Sequence, residues 1–179
     1  MSYKVCSIYT GWLKTWERCR LNHALMLPPS NVVIHYNENT NVLQKFTEDI
    51  WGYNKKKVPE NIPINTMSMW YNMKEAFRLA PMSCDVYVRN RYDIEFEKPI
   101  KYNIEPNTVY IPDGNDYGGV NDQFAYGDYY SMAKYYSIID SADELFQEHT
   151  FHSETYMKHH LNKTGVRVIR ISQRQIIIR

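Results

Sequence analysis

Over its first hundred residues the chain alternates short apolar runs with longer segments of helical period, and that alternation leaves few folds open. Tyr3-Lys4-Val5-Cys6-Ser7-Ile8-Tyr9 reads as a strand closed by Thr10-Gly11. A helix is expected from about Trp12 to Leu27, where Leu13, Trp16, Leu21, Leu25 and Met26 recur near helical spacing and Pro28-Pro29 stops the element. Asn31 to Tyr36 is a second strand. Thr40 to Trp51 has a helical pattern with Asn39 or Thr40 as its cap. The polar stretch Gly52 to Pro63, with Lys55-Lys56-Lys57, reads as a solvated loop. A further helix, Thr66 to Leu79, aims Met69, Met73, Ala76, Phe77 and Ala80 at a core. The order β-α-β-α-α-β predicts an α/β fold, with an open, mixed but mostly parallel sheet flanked by helices.

The next strand carries the chemistry. Asp85 to Phe96 begins apolar and ends in charge, and side chains alternate faces along a strand. Read as one continuous strand, it sends Arg89, Arg91, Asp93 and Glu95 to one side and Val88, Tyr92 and Ile94 to the other. Two guanidiniums beside two carboxylates suit a metal-bridged diphosphate: carboxylate oxygens hold a divalent cation and arginines pair with phosphate oxygens. A mutually paired Arg/Asp network at a strand end is the competing reading. In an open α/β sheet, ligands bind at the carboxyl ends of the strands. Tyr9-Thr10-Gly11 ends the first strand at that edge, and Lys14 follows near a helix N-terminus, where anions are favoured.

Later segments complete the pattern. Asn107 to Pro112 is a short strand, and Asp113-Gly114-Asn115-Asp116-Tyr117-Gly118-Gly119 is a loop able to adopt positive φ, read either as a ligand loop or as a surface turn. Val120 to Gly127 is a strand or turn feeding a helix from about Asp128 to Ile139. A last helix runs from about Ser153 to Asn162, with His159 and His160 read as surface residues and Gly165 as its stop. Val166 to Ile171 and Gln175 to Arg179 are strand-like, and the abrupt end suggests a domain of a longer chain.

Bulk properties narrow the class. With 179 residues and a hydrophobic content of 44 %, the chain can build one real core. A formal net charge of +1 removes the electrostatic case for nucleic acid as a partner. Three cysteines match no zinc spacing and no complete disulfide framework, which favours a reducing compartment. No apolar run approaches the roughly 20 residues of a membrane span, so a cytoplasmic location is expected. The sequence has no GxGxxG and no P-loop.

Four motifs in order resemble those of small GT-A glycosyltransferases, of the kind found in bacterial capsule and lipopolysaccharide clusters and in large DNA viruses. They are Gly11-Trp12-Leu13-Lys14-Thr15, then Arg89 to Asp93, then Gly119-Val120-Asn121-Asp122-Gln123-Phe124-Ala125-Tyr126-Gly127 with Met132 in the following helix, and last Ser153-Glu154. The likeness spans residues 5 to 171. Lys14 stands where arginine is common, and Asp93-Ile94-Glu95 replaces the usual Asp-x-Asp. The resemblance implies a GT-A-like catalytic domain over residues 1–179, which moves a sugar from a nucleotide-diphosphate donor, expected to be a UDP-sugar, to a glycan hydroxyl on protein or lipid. It implies Mn2+ or Mg2+ held by Asp93, Glu95 and His152. It implies a nucleotide site lined by Thr10, Gly11, Lys14, Arg89 and Arg91. Asp122 is the implied general base of an inverting transfer; a helix cap or a contact to a donor-sugar hydroxyl is the other role open to it. His152 has packing as its other role, and Glu154 is open to capping or donor binding. A nucleotidyltransferase and a non-catalytic glycan-binding module are the alternatives.

Overall fold

A computed structural model describes residues 3–11, 13–36, 64–142, 144–145 and 152–178. The expected helix Thr40 to Trp51 and the lysine loop after it lie outside the described residues. The elements in order are β1 (Val5–Thr10), a 3-10 turn (Leu13–Thr15), α1 (Trp16–Met26), β2 (Val32–Tyr36), α2 (Ile64–Arg78), β3 (Val86–Arg91), β4 (Ile94–Phe96), β5 (Thr108–Pro112) and β6 (Ala125–Gly127). They continue with α3 (Tyr129–Tyr136), a 3-10 turn (Ile138–Ser141), α4 (Ser153–Lys163), β7 (Arg167–Ile171) and β8 (Gln175–Ile177). Asp128 caps α3 by accepting the Ser131 backbone N–H at 2.7 Å.

Six strands form one sheet in the order β2-β1-β3-β6-β5-β7. The pairs β1–β2, β1–β3 and β5–β7 are parallel, and β6 runs antiparallel between β3 and β5. The fold is therefore α/β, with a mostly parallel mixed sheet flanked by helices. Strands β1 and β3 are buried along nearly their whole length, as expected of a sheet covered on both faces. Cys6, Ile8 and Tyr87 face a core shared with Trp70, Met73, Met132, Tyr156 and Leu161 of α2, α3 and α4. Val5, Val86 and Val88 face the other way, onto Leu27, Ile94, Phe96, Phe124 and Tyr126. Among the described residues no helix is long and apolar enough to cross a membrane.

Three expectations need correction. The segment Asp85 to Phe96 is not one strand. β3 stops at Arg91, a turn at Tyr92-Asp93 follows, and β4 leaves the main sheet to pair antiparallel with β8. The Ile178 N–H donates to the Asp93 carbonyl at 2.8 Å, so the end of β8 closes over that turn. The single alternation that put four charged side chains on one face therefore breaks at Tyr92. The face of α1 is also different: Cys19 and His23 are buried, while Leu13, Leu21 and Leu25 are exposed. What α1 covers is the backbone of β4, and polar groups can bond to it. The Asn22 amide donates to the Phe96 carbonyl at 2.9 Å and accepts the Phe96 N–H at 2.8 Å, pairing as a strand neighbour would. His160, expected at the surface, is buried, with Nε2 donating to the Lys134 carbonyl at 2.7 Å.

Candidate functional site

In parallel register Thr10 lies beside Arg91, so β1 and β3 end together at one edge of the sheet. Gly11 turns the chain away there with φ +120°, a conformation that side chains resist, and a Cβ placed on it would touch none of the described residues beyond its chain neighbours. Thr10 is buried and its hydroxyl has no partner among the described residues.

Arg91 grips Asp93 across the turn with a two-pronged pair, Nε to Oδ1 at 2.8 Å and Nη2 to Oδ2 at 2.6 Å. This is the fork geometry in which guanidinium and carboxylate match best. Burial alone would lower the Arg91 pKa. Hydrogen bonding and charge from Asp93, with the carboxylates of Asp122 and Glu154, outweigh it and hold the value above normal. Arg91 thus feels the charge of three acidic groups from different parts of the chain, Asp93 from its own turn, Asp122 from the stretch before β6 and Glu154 from the first turn of α4, of which Asp93 is bonded to it.

Asp122 is buried and held from two sides. The Ser153 hydroxyl donates to its Oδ2, and the Tyr135 hydroxyl donates to its backbone carbonyl at 3.3 Å. Glu154 has its pKa raised, first by burial and then by the nearby Asp122 carboxylate, while His152 and Arg91 favour its ionised form. Both acids are brought in by one close contact. A Cβ on Gly119 would lie 1.9 Å from the Glu154 carbonyl oxygen, and the next residue, Val120, donates its N–H to that same oxygen at 3.0 Å. Only glycine lets the loop touch the first turn of α4. Ser153 and Gly119 were legible as motif members, but the contact between them is a product of the fold.

Arg89 lies deeper. Its side chain is fully buried and Nη1 donates to the Asn90 carbonyl, while Nε and Nη2 have no acceptor among the described residues. Burial lowers its pKa; Tyr136, Tyr135 and Asp122 oppose that, and Arg91 adds to it. Arg89 therefore sits behind Arg91, and the partly exposed Arg91 is the guanidinium a ligand can reach.

The remaining candidates make no hydrogen bond or ion pair with Arg91 or Asp122. Lys14 is exposed on the 3-10 turn. Glu95 lies 3.9 Å from Arg18 of α1. His152 is exposed just before α4, its ring stacked on Tyr117 with centroids 6.1 Å apart. Both oxygens of Asp93 are engaged by Arg91. Among the described residues no group of three or more His, Cys, Asp or Glu is placed to hold a metal ion.

The arrangement can do two things chemically. A partly exposed guanidinium at a strand end can take a phosphate oxygen, exchanging it for part of its carboxylate pair. A buried carboxylate fixed by Ser153 can accept a proton from a hydroxyl brought against it. Compared with family models and with curated proteins, the chain matches none.

Proposed function

We propose that the chain is a glycosyltransferase that binds a nucleoside-diphosphate sugar at the joint end of β1 and β3. The observation that supports this reading is the partly exposed Arg91–Asp93 pair where β1 and β3 end together, with the buried Asp122 held by Ser153 at the start of α4. In this reading the diphosphate lies against Arg91, with the nucleoside toward Thr10 and Gly11. The acceptor hydroxyl gives its proton to Asp122 as its oxygen bonds to the anomeric carbon. The bond from that carbon to the diphosphate breaks, and Arg91 compensates the charge that develops on the leaving group. Attack opposite the leaving group inverts the anomeric centre. A finer GT-A assignment is part of the same proposal. No step is routed through a cation.

Calorimetric titration of UDP, GDP, CMP and dTDP, each with manganese and with chelator, tests the donor site on wild type, Arg91→Ala and Asp93→Ala. Binding of one nucleotide by wild type that weakens roughly tenfold or more in Arg91→Ala supports the reading. Dependence of that binding on both manganese and Asp93 would show that Asp93 leaves Arg91 for a cation. Absence of nucleotide binding in both conditions would leave Arg91 and its acids as a structural ion network.

A further inference from the structure

Helix α1 turns polar groups inward and leucines outward. Where it meets β4, Asn22 bonds both backbone groups of Phe96 and His23 bonds the Ile94 carbonyl. Leu21 is 68 % exposed and Leu25, one turn on, is 74 % exposed; Leu13, in the turn that leads into the helix, is 47 % exposed. Residues four apart share a helix face, so Leu21 and Leu25 make one apolar patch. Apolar residues scattered singly over a surface are ordinary, whereas a contiguous patch marks a contact.

The same stretch is basic. From Leu13 to Met26, Lys14, Arg18 and Arg20 stand against Glu17, a formal +2 in a chain whose total is +1. All four charged residues are exposed. Glu17 is taken up by Arg20 at 2.8 Å, Arg18 comes no nearer than 3.9 Å to Glu95, and Lys14 makes no ion pair among the described residues. The chain after β4 returns to the C-terminal end of α1, where the Ile100 N–H donates to the Met26 carbonyl at 2.7 Å. That segment adds the exposed Lys98 and Lys101 beside one exposed acid, Glu97.

Leucines interleaved with long basic side chains fit a lipid surface better than a protein. The centre of a protein interface is poor in charge and rich in aromatic rings. Here the described aromatic residue of the stretch, Trp16, packs on Tyr9 with ring centroids 5.1 Å apart. At a bilayer the leucines enter the boundary of the acyl chains. The stems of Lys and Arg lie along the apolar layer, and their charged heads meet lipid phosphates. We propose that α1 and the turn before it lay the protein on an anionic lipid surface. This docking is independent of the function proposed above, although it would set the edge where β1 and β3 end beside the bilayer, because the Leu13–Thr15 turn follows Gly11 directly.

Co-sedimentation with large unilamellar vesicles tests it, using phosphatidylcholine alone and equal parts phosphatidylcholine and phosphatidylglycerol, with no nucleotide present. The proteins are wild type, Leu21→Gln/Leu25→Gln and Arg18→Gln/Arg20→Gln, each checked for an unchanged circular dichroism spectrum; glutamine keeps the helix propensity. Wild type should bind the anionic vesicles at least about tenfold more tightly than the neutral ones and should lose that binding as salt is raised. Each double variant should bind the anionic vesicles at least about tenfold more weakly than wild type. Binding to neither vesicle, equal binding to both, or binding undiminished in the leucine variant would each overturn the proposal. Self-association of wild type that the leucine variant abolishes, without vesicle binding, would give the face to a second copy of the chain instead.

Discussion

Arg89 is held in its place at a cost. A guanidinium taken wholly out of water, bonded to one backbone carbonyl and with Nε and Nη2 unpartnered among the described residues, spends stability that an apolar side chain would keep. Arg89→Met, which keeps the length and packs against Tyr135 and Tyr136, should leave the protein as stable as wild type or up to about 4 kcal/mol more stable; urea unfolding reads the difference. A clear loss of stability would mean that Arg89 holds an unseen internal partner, such as an ordered water. Asn22 is the opposite case, a side chain whose hydrogen bonds replace those of a missing strand. Asn22→Ala strands the Phe96 N–H and carbonyl beneath α1 and should cost about 1–3 kcal/mol, measurable as a lower urea midpoint with an unchanged slope. A reader of the sequence could not foresee this. Asn22 sits among the leucines of α1, and those leucines made the visible pattern although the structure leaves two of them, Leu21 and Leu25, in solvent.

At the scale of elements, legibility followed length. β1, β2, β5 and β7 were readable because each is a run of five or six mostly apolar or β-branched residues, and β3 was readable at its apolar start but not at its end. β6 was only half seen, since three residues carry too little pattern to separate a strand from a turn. The break between β3 and β4 was hidden because apolar and charged residues keep alternating through Tyr92-Asp93 while the hydrogen-bonding partner changes. The same limit applied to the site. Arg91, Asp93 and Asp122 stand out in their motifs, but the bond from Ser153 to Asp122 depends on how α4 docks, and that docking depends on Gly119. Gly119→Ala places a methyl group inside van der Waals distance of backbone, which no rotamer can relieve, so α4 must shift. A cost of about 1–3 kcal/mol is expected, together with loss of nucleotide binding as Ser153 leaves Asp122. Calorimetry on a folded variant separates the two effects. Full nucleotide affinity in Gly119→Ala would show that the α4 N-terminus takes no part in the donor site.

Across the whole molecule, two histidines are locked neutral on opposite faces of the sheet, and together they set how the fold meets acid. His23 Nε2 donates to the Ile94 carbonyl at 2.7 Å, which leaves Nδ1 to accept from the Tyr9 hydroxyl at 3.1 Å. His160 Nε2 donates to the Lys134 carbonyl, which leaves Nδ1 to accept from Ser141 at 2.9 Å. A second proton on either ring would break an accepted hydrogen bond and charge a buried group. Burial accordingly lowers the pKa of both. The carbonyl bonds at Ile94 and Lys134 oppose this in part; near His160, Asp140 acts with that bond and Lys163 against it. An unfolded histidine titrates near 6.5, above both folded values. As pH falls below that point, the unfolded chain takes up protons that the native state refuses, so stability present above it is lost as pH approaches the folded pKa values. The thermal midpoint should therefore drop between pH 7.5 and pH 5.5, a window where most carboxylates stay ionised. Replacing His23 with Gln, which keeps a donor for Ile94 but does not titrate, should lower the midpoint at pH 7.5 and flatten its fall toward pH 5.5. An undiminished slope in His23→Gln would assign the acid limb to other groups, with His160 and then His35, whose pKa is also lowered by desolvation, next in line.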